Sequence, residues 1–224
     1  MSTEAKINEI FSSIQGEGTV IGFKQLFIRF CGCNLNCNYC DTEFGEGNMY
    51  TPQSLFEKIF SDYDLKSFHS ISLTGGEPLL SYKFLQEFLP MVKGKTKIYL
   101  ETNATMTEEL LAVKDKIDII AADIKLPSST GMNTLNKNAE FIKQCGGVET
   151  FAKIVFDENI TDEEVKFCAN LGAETGVELI LQPMMIGKRM SVSPEFCSEI
   201  LNKYTEIYPK TRLIPQVHKF LDVR

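Results

Sequence analysis

Short runs of apolar, β-branched and aromatic residues alternate along the chain with longer stretches in which apolar residues recur at helical spacing. The short runs fall at 25–30, 70–73, 97–100, 117–121, 150–155 and 177–181 and predict strands. The stretches between them predict helices with legible starts. Thr51 and Pro52 read as an N-cap followed by a first helical residue. Thr107-Glu108-Glu109, Thr161-Asp162-Glu163-Glu164 and Ser193-Pro194-Glu195 are similar starts, with acids at the positive helix end. Strands alternating with helices predict βαβ units and a parallel sheet. Six strands fall short of the eight in a closed barrel of roughly 250 residues. The pattern therefore predicts an α/β fold, a partial barrel or a doubly wound sheet, with its site at the C-terminal strand ends. No repeat, low-complexity segment or long charge block divides the chain, so residues 1–224 read as one domain.

The segment 31–49 breaks this rhythm. It is a Gly- and Asn-rich loop after the 25–30 run, and long loops in compact domains are usually functional or disordered. Four of the chain's seven cysteines stand in it, between Cys31 and Cys40. The opening residues lack the apolar region of an export signal, and no apolar run approaches the ~20 residues that span a bilayer. A cytoplasmic protein without membrane contact is expected, in which clustered cysteines point to a metal or to catalysis before disulfides. The formal charge, 23 − 30 = −7, disfavours a nucleic-acid partner.

Cys33, Cys37 and Cys40 form CxxxCxxC. Soft thiolates select zinc, copper(I) or iron–sulfur. Structural zinc wants four protein ligands, and neither His69 nor His218 has ligand spacing to the loop, although Cys31 could serve as a fourth. Three thiolates on a four-iron cubane would leave one iron open. Buried packing thiols are the plainest alternative, which the Asn-rich surroundings disfavour.

CxxxCxxC followed by Asp41-Thr42, with Thr74-Gly75-Gly76-Glu77-Pro78 after the next strand, resembles the radical S-adenosylmethionine superfamily. That resemblance implies a partial (β/α)6-type barrel. It also implies a [4Fe–4S] cluster on Cys33, Cys37 and Cys40, whose fourth iron takes S-adenosylmethionine. More of the chain, from residue 8 onward, is similar to the 7-carboxy-7-deazaguanine synthase family of queuosine biosynthesis. The matching segments are Phe11 to Gly18, Phe27-Ile28-Arg29-Phe30, Glu101-Thr102-Asn103, Asp123-Ile124-Lys125, Leu181-Gln182-Pro183-Met184 and Gln216 to Leu221. Two departures are visible: Cys31 stands where small residues are usual, and Ala104 replaces a glycine often found after Glu-Thr-Asn.

The resemblance implies ring contraction of 6-carboxy-5,6,7,8-tetrahydropterin to 7-carboxy-7-deazaguanine with loss of ammonia. The chemistry would be initiated by a 5′-deoxyadenosyl radical that takes a hydrogen from the pterin. It assigns cofactor contacts to Tyr39, Asp41, Gly75, Gly76, Glu77, Glu101, Asn103, Asp123, Lys125 and Gln182. It assigns substrate contacts to Ile14, Gln15, Gly16, Glu17, Arg29, Thr74, His218 and Arg224, and a Mg²⁺ ligand to Thr42. A homodimer and a reducing partner such as flavodoxin or ferredoxin are implied too.

Several of these residues have plainer readings. Arg29, in an otherwise apolar strand, suits bidentate carboxylate recognition, or an ion pair at a strand end. Gln15 and Glu17 suit the guanidine-like edge of a pterin, or an ordinary turn bounded by Gly16 and Gly18. Thr42 could be a cap, Thr74 a strand residue and His218 a surface histidine. Cys145, Cys168 and Cys197 read as packing thiols. Competing functions are a glycyl-radical-enzyme activating enzyme and a non-enzymatic metal or redox-sensing module.

Overall fold

The six expected strands form the centre of the sheet. In chain order the elements are β1 (Ala5–Ile14), β2 (Lys24–Phe30), β3 (Asn48–Tyr50), α1 (Pro52–Asp62), β4 (Ser70–Gly75), α2 (Tyr82–Val92), β5 (Lys97–Thr102), α3 (Thr107–Leu111), β6 (Ile119–Ile124), α4 (Pro127–Thr130), α5 (Leu135–Gln144), β7 (Glu149–Phe156), α6 (Asp162–Thr175), β8 (Glu178–Pro183), the hairpin β9 (Met185–Ile186) and β10 (Arg189–Met190), α7 (Pro194–Ile207), β11 (Thr211–Leu213) and α8 (Val217–Leu221). This computed structural model describes residues 3–38 and 45–223; Tyr39, Cys40, Asp41, Thr42 and Arg224 lie outside them.

Helix starts follow local chemistry. The Thr51 hydroxyl accepts from the Ser54 N–H, the Thr161 hydroxyl from Glu164 and the Ser193 hydroxyl from Phe196, each satisfying an otherwise orphaned donor. Thr107 differs from its expected capping role: it is the first helical residue, behind Met106, which makes no side-chain cap.

The main sheet runs β11-β8-β7-β6-β5-β4-β2-β1-β3. From β2 to β11 neighbouring strands are parallel, and β1 and β3 add an antiparallel edge. Among the described residues the two ends, β11 and β3, do not pair, as in a partial (β/α)6-type barrel. The sheet nevertheless curls. The loop from β1 to β2 crosses its concave side, and Gly18 lies against the Phe151 ring of β7.

Helices cover the convex face over a core that includes Leu26, Ile28, Leu73, Phe84, Phe88 and Ile154. Cys145, Cys168 and Cys197 are buried in this core, as packing thiols. The concave face changes character along each strand. Val20, Tyr99, Ile119, Ala121, Phe151 and Ile180 form an apolar floor. Two residues further along their strands stand Glu101, Asp123, Lys153 and Gln182. Fully enclosed parallel strands are usually apolar on both faces; here the C-terminal ends carry charge inward. No helix among the described residues is long and apolar enough to cross a membrane.

Candidate active site

The charged strand ends open into a cavity of about 1000 Å³. One wall is built by the end of β1, the turn after it and the C-terminal segment. Ile14, Gln15, Gly16, Glu17 and His218 all line the cavity. A Cβ on Gly16 would come within 2.4 Å of His218 Nδ1 and 2.6 Å of its backbone nitrogen, so the tail can lie here only against a residue without one. The Val217 N–H donates to the Gly16 carbonyl at 2.9 Å, and the Gln216 amide donates to Glu17 Oε1 at 2.6 Å.

Gln15 is buried and fully engaged. Its amide nitrogen donates to Gln25 at 3.0 Å and to Glu101 at 3.3 Å, and its carbonyl accepts the Glu17 N–H at 3.0 Å. Glu17 Oε2 meets Lys153 Nζ at 2.5 Å. Burial alone would raise the Glu17 carboxyl, but the Lys153 charge and the hydrogen bonds from Lys153 and Gln216 outweigh it and hold the group at about 2.

Lys153 was not singled out by motif or resemblance. Its ammonium is almost wholly buried and also lies 4.0 Å from Glu101 and 3.9 Å from Asp123. The available signal was the one used for Arg29, a lone cation in an apolar strand, here Phe151-Ala152-Lys153-Ile154-Val155.

Arg29 lines the cavity beside the aromatic pair Phe11 and Phe27, whose rings stack at 5.1 Å. Its Nε donates to Glu9 on β1 at 2.7 Å, so the ion pair at a strand end exists. Both residues remain a quarter exposed to the cavity side. Thr74 donates to Glu101 Oε2 at 2.6 Å, joining β4 to β5 inside the cavity.

The opposite wall faces the cysteine loop. Cys33 and Cys37 line the cavity; Cys40 and Thr42 lie outside the described residues. Asn103, at the end of β5, donates to Asn34 at 2.7 Å and to Cys33 Sγ at 3.7 Å, tying that strand end to the loop. Gly75 has φ +120°, and a Cβ there would sit 2.3 Å from the Phe30 carbonyl. The Gly76 N–H then reaches Phe30 and the Glu77 N–H reaches Gly32, at 3.1 and 2.9 Å. The Gly-Gly turn is thereby sewn to the entry of the cysteine loop, and both glycines line the cavity.

Glu77 carries its carboxylate outside the cavity lining. It is fully buried, and its carboxylate accepts from the backbone of Leu79 and Asn103 and from the Thr102 hydroxyl, at 2.8–3.0 Å. It fastens β4 to β5 beneath the site and does not line the cavity. Burial pushes its carboxyl up to about 7, against the pull of those donors and of Lys125. Ala104 has φ +54°, which explains why a glycine suits the position. Asn138 of α5 holds this strained segment by donating to the carbonyls of Asn103 and Ala104 at 2.8 and 3.0 Å.

Asp123, Lys125 and Gln182 also line the cavity, with Lys125 donating to Asp123 Oδ2 at 2.9 Å. Asp123 Oδ1 and Gln182 Oε1 are buried with no hydrogen-bond partner among the described residues. Buried acceptors rarely stay unpaired, so this wall suits a ligand that brings donors, as the hydroxyl and ammonium groups of S-adenosylmethionine would.

A curled parallel sheet with a thiol-bearing loop after its first parallel strand and a Gly-Gly turn after the next has the architecture of a radical S-adenosylmethionine protein. The Radical SAM superfamily profile matches residues 27–167. The chain is 35% identical to the 7-carboxy-7-deazaguanine synthase of Geobacter sulfurreducens, over 97% of both chains. It is 34% identical to the enzyme of that name from Archaeoglobus fulgidus, over 98% of this chain and 99% of the other. The chain belongs to the 7-carboxy-7-deazaguanine synthase family. In fold it is similar to the crystal structure of QueE from Escherichia coli, with a TM-score of 0.66, 20% identity and coverage of 96% and 95%. It is also similar to Streptococcus suis SuiB bound to S-adenosylmethionine, with a TM-score of 0.60, 14% identity and coverage of 84% and 46%.

Proposed function

We propose that this chain converts 6-carboxy-5,6,7,8-tetrahydropterin into 7-carboxy-7-deazaguanine and ammonia. The observation that carries the reading is one cavity with two unlike walls, a thiol-bearing wall and an acidic, amide-lined one, in a chain whose family relatives match it over nearly their full length. Product and ammonia together hold the atoms of the substrate, so the conversion requires no net oxidant.

Cys33, Cys37 and Cys40 would hold the [4Fe–4S] cluster, and Gly75, Gly76, Asn103, Asp123, Lys125 and Gln182 would hold S-adenosylmethionine, a role the resemblance also gives to Tyr39 and Asp41. When bound, these groups supply the radical that removes a hydrogen from the substrate; the protein binds, orients and excludes water. Glu101, assigned to the cofactor by resemblance, hydrogen-bonds Gln15 and Thr74 and so reaches the substrate wall as well.

On that wall, Glu17 offers an ionised carboxylate to the amino edge of the pterin, and Phe11 and Phe27 offer apolar faces to the ring. Arg29 has its Nε held by Glu9, which leaves the terminal guanidinium donors for the substrate carboxylate. Thr42 would place Mg²⁺ near that carboxylate, and His218 and Arg224 would close the site from the tail. A homodimer, a cytoplasmic location and reduction by flavodoxin or ferredoxin belong to this reading on the family resemblance alone.

The test is an anaerobic assay of reconstituted protein with dithionite and S-adenosylmethionine, with and without the carboxy-tetrahydropterin. Formation of the deazaguanine is expected. Cofactor cleavage without that product would refute the substrate assignment, and protein that binds zinc and no iron would refute the radical chemistry.

A further inference from the structure

We propose that Lys153 is a positioning residue for substrate recognition: it fixes Glu17 as an oriented anion, so that the acidic wall accepts hydrogen bonds and selects a ring edge carrying adjacent N–H donors. The inference deepens the pterin reading above and rests on it.

The geometry places one buried ammonium among three carboxylates from three elements. Glu17 comes from the turn after β1, Glu101 from β5 and Asp123 from β6. Only Glu17 is at hydrogen-bond distance, 2.5 Å; the other two stand at 4.0 and 3.9 Å. Asp123 already has Lys125 at 2.9 Å, and Glu101 has the Thr74 hydroxyl at 2.6 Å. Glu17 alone is hydrogen-bonded by Lys153, and its other oxygen takes only the neutral Gln216 amide. Loss of Lys153 therefore falls mainly on Glu17.

The hydrogen-bond inventory points the same way. An ionised carboxylate has about four acceptor sites, and the contacts with Lys153 and Gln216 occupy one on each oxygen of Glu17. Neighbouring Gln15 has both amide protons and its carbonyl engaged, so it supports the wall and adds no spare donor to it. Glu17 and Glu101 thus face the cavity as acceptors. That matches the amino and ring N–H groups of a guanidine-like edge and rejects an edge of acceptors.

The charged and titratable groups around the pair are Glu101 and Tyr99 on β5, Asp123 on β6 with its partner Lys125 just beyond the strand, and His218 in the tail. Burial would lower the Lys153 ammonium, but Asp123, Glu17 and Glu101 raise it well above its ordinary range. The pair thus stays charged across neutral pH in the wild type. Without the lysine, burial is left to act on Glu17 and its carboxyl rises.

The test uses anaerobically reconstituted enzyme saturated with S-adenosylmethionine, read by steady-state kinetics and by calorimetric binding of the pterin. Lys153→Met is expected to raise the pterin KM and Kd about 30-fold or more, the scale of losing one partner of a buried charge pair. Cofactor cleavage without the pterin should fall by far less than pterin binding does, because Asp123 keeps Lys125. Pterin binding by the variant should strengthen as pH rises from about 6 to 8, where the wild type is flat, and Lys153→Arg should restore the flat profile. Should Lys153→Met fail to fold, Lys153→Met with Glu17→Gln removes the unpaired anion; weak, pH-independent pterin binding by that protein supports the role.

Wild-type KM and a flat profile in either methionine variant would overturn the inference. So would an equal loss of kcat and of pterin-free cofactor cleavage at unchanged KM, the mark of a merely structural ion pair. A wild-type enzyme that neither binds nor converts the pterin would overturn the pterin reading first, and this inference with it.

Discussion

Gly16→Ala separates the substrate wall from the rest of the protein. An alanine Cβ at this position would meet His218 Nδ1 at 2.4 Å, His218 Cβ at 2.5 Å and the His218 backbone nitrogen at 2.6 Å. A new rotamer can move the imidazole, but the backbone nitrogen and Cβ yield only if the tail itself retreats, by about 1 Å to reach ordinary contact. Retreat breaks the bond from Val217 to the Gly16 carbonyl and pulls Gln216 from Glu17. A neutral backbone bond and a bond to a carboxylate together amount to roughly 3 kcal/mol, or about 100-fold in affinity. The tail helix contains no buried residue, so the loss stays confined to these tail bonds and leaves the apolar core intact.

The expected result is a pterin KM raised about 100-fold, with a Tm lowered by no more than a few degrees. Steady-state kinetics and a thermal melt of one preparation check it. Gly18→Ala is the control. Its φ is +69° and its Cβ would stand 2.3 Å from the Phe151 ring on the apolar floor, so that variant should lose Tm first. Gly16→Ala with a wild-type KM, or with a Tm loss matching Gly18→Ala, would refute the reasoning.

Glu77 gives the fold a pH dependence of definite sign. Its carboxyl sits at about 7 in the fold against an ordinary 4.5. Between those values the folded chain keeps a proton the unfolded chain has lost, so stability falls as pH rises, by roughly 3 kcal/mol in all. Urea unfolding at about pH 5 and pH 8 should show this slope in the wild type and a flatter one in Glu77→Gln; parallel slopes would count against it. Cys33→Ser should abolish the iron–sulfur signal after anaerobic reconstitution. Cys168→Ala, in the helix-covered core, should keep that signal and lose about 1–3 kcal/mol of stability. Arg29→Ala should weaken pterin binding far more than S-adenosylmethionine binding, and equal effects on both would sink the carboxylate role.

The central parallel strands were legible because each is a short apolar run bounded by turn residues, and three helix starts because capping is local chemistry. β1 was not, for a reason visible in its register. A bulge between Ile7 and Glu9 shifts the strand's phase, so the inward and outward residues of Ala5–Ile14 do not keep one alternation. Asn48 and Met49 carry no strand signal because β3 is three residues long. At the site, residues with a motif around them were found, whereas Lys153 and Asn138 were not. Their partners, Glu17 and the carbonyls of Asn103 and Ala104, are distant in sequence, so no local spacing carries the signal. Glu77 shows the converse limit. A motif marks a residue's place on the turn, but only packing decides whether its side chain faces the cavity or the seam between two strands.

Gln216 and Glu17 are separated by 199 positions, yet they share one hydrogen bond. Synthesis proceeds from the N-terminus, and folding of a domain follows it. The strands that face the cysteine loop are therefore all made while the substrate wall still lacks one of the two groups that grip Glu17. A nascent or prematurely terminated chain would present a cofactor site without a completed place for the pterin. The family profile itself stops at residue 167, well before this segment. Cofactor and substrate contacts interleave along the rest of the chain, so this C-terminal segment is the part of the wall that can be altered without touching the strands that carry both.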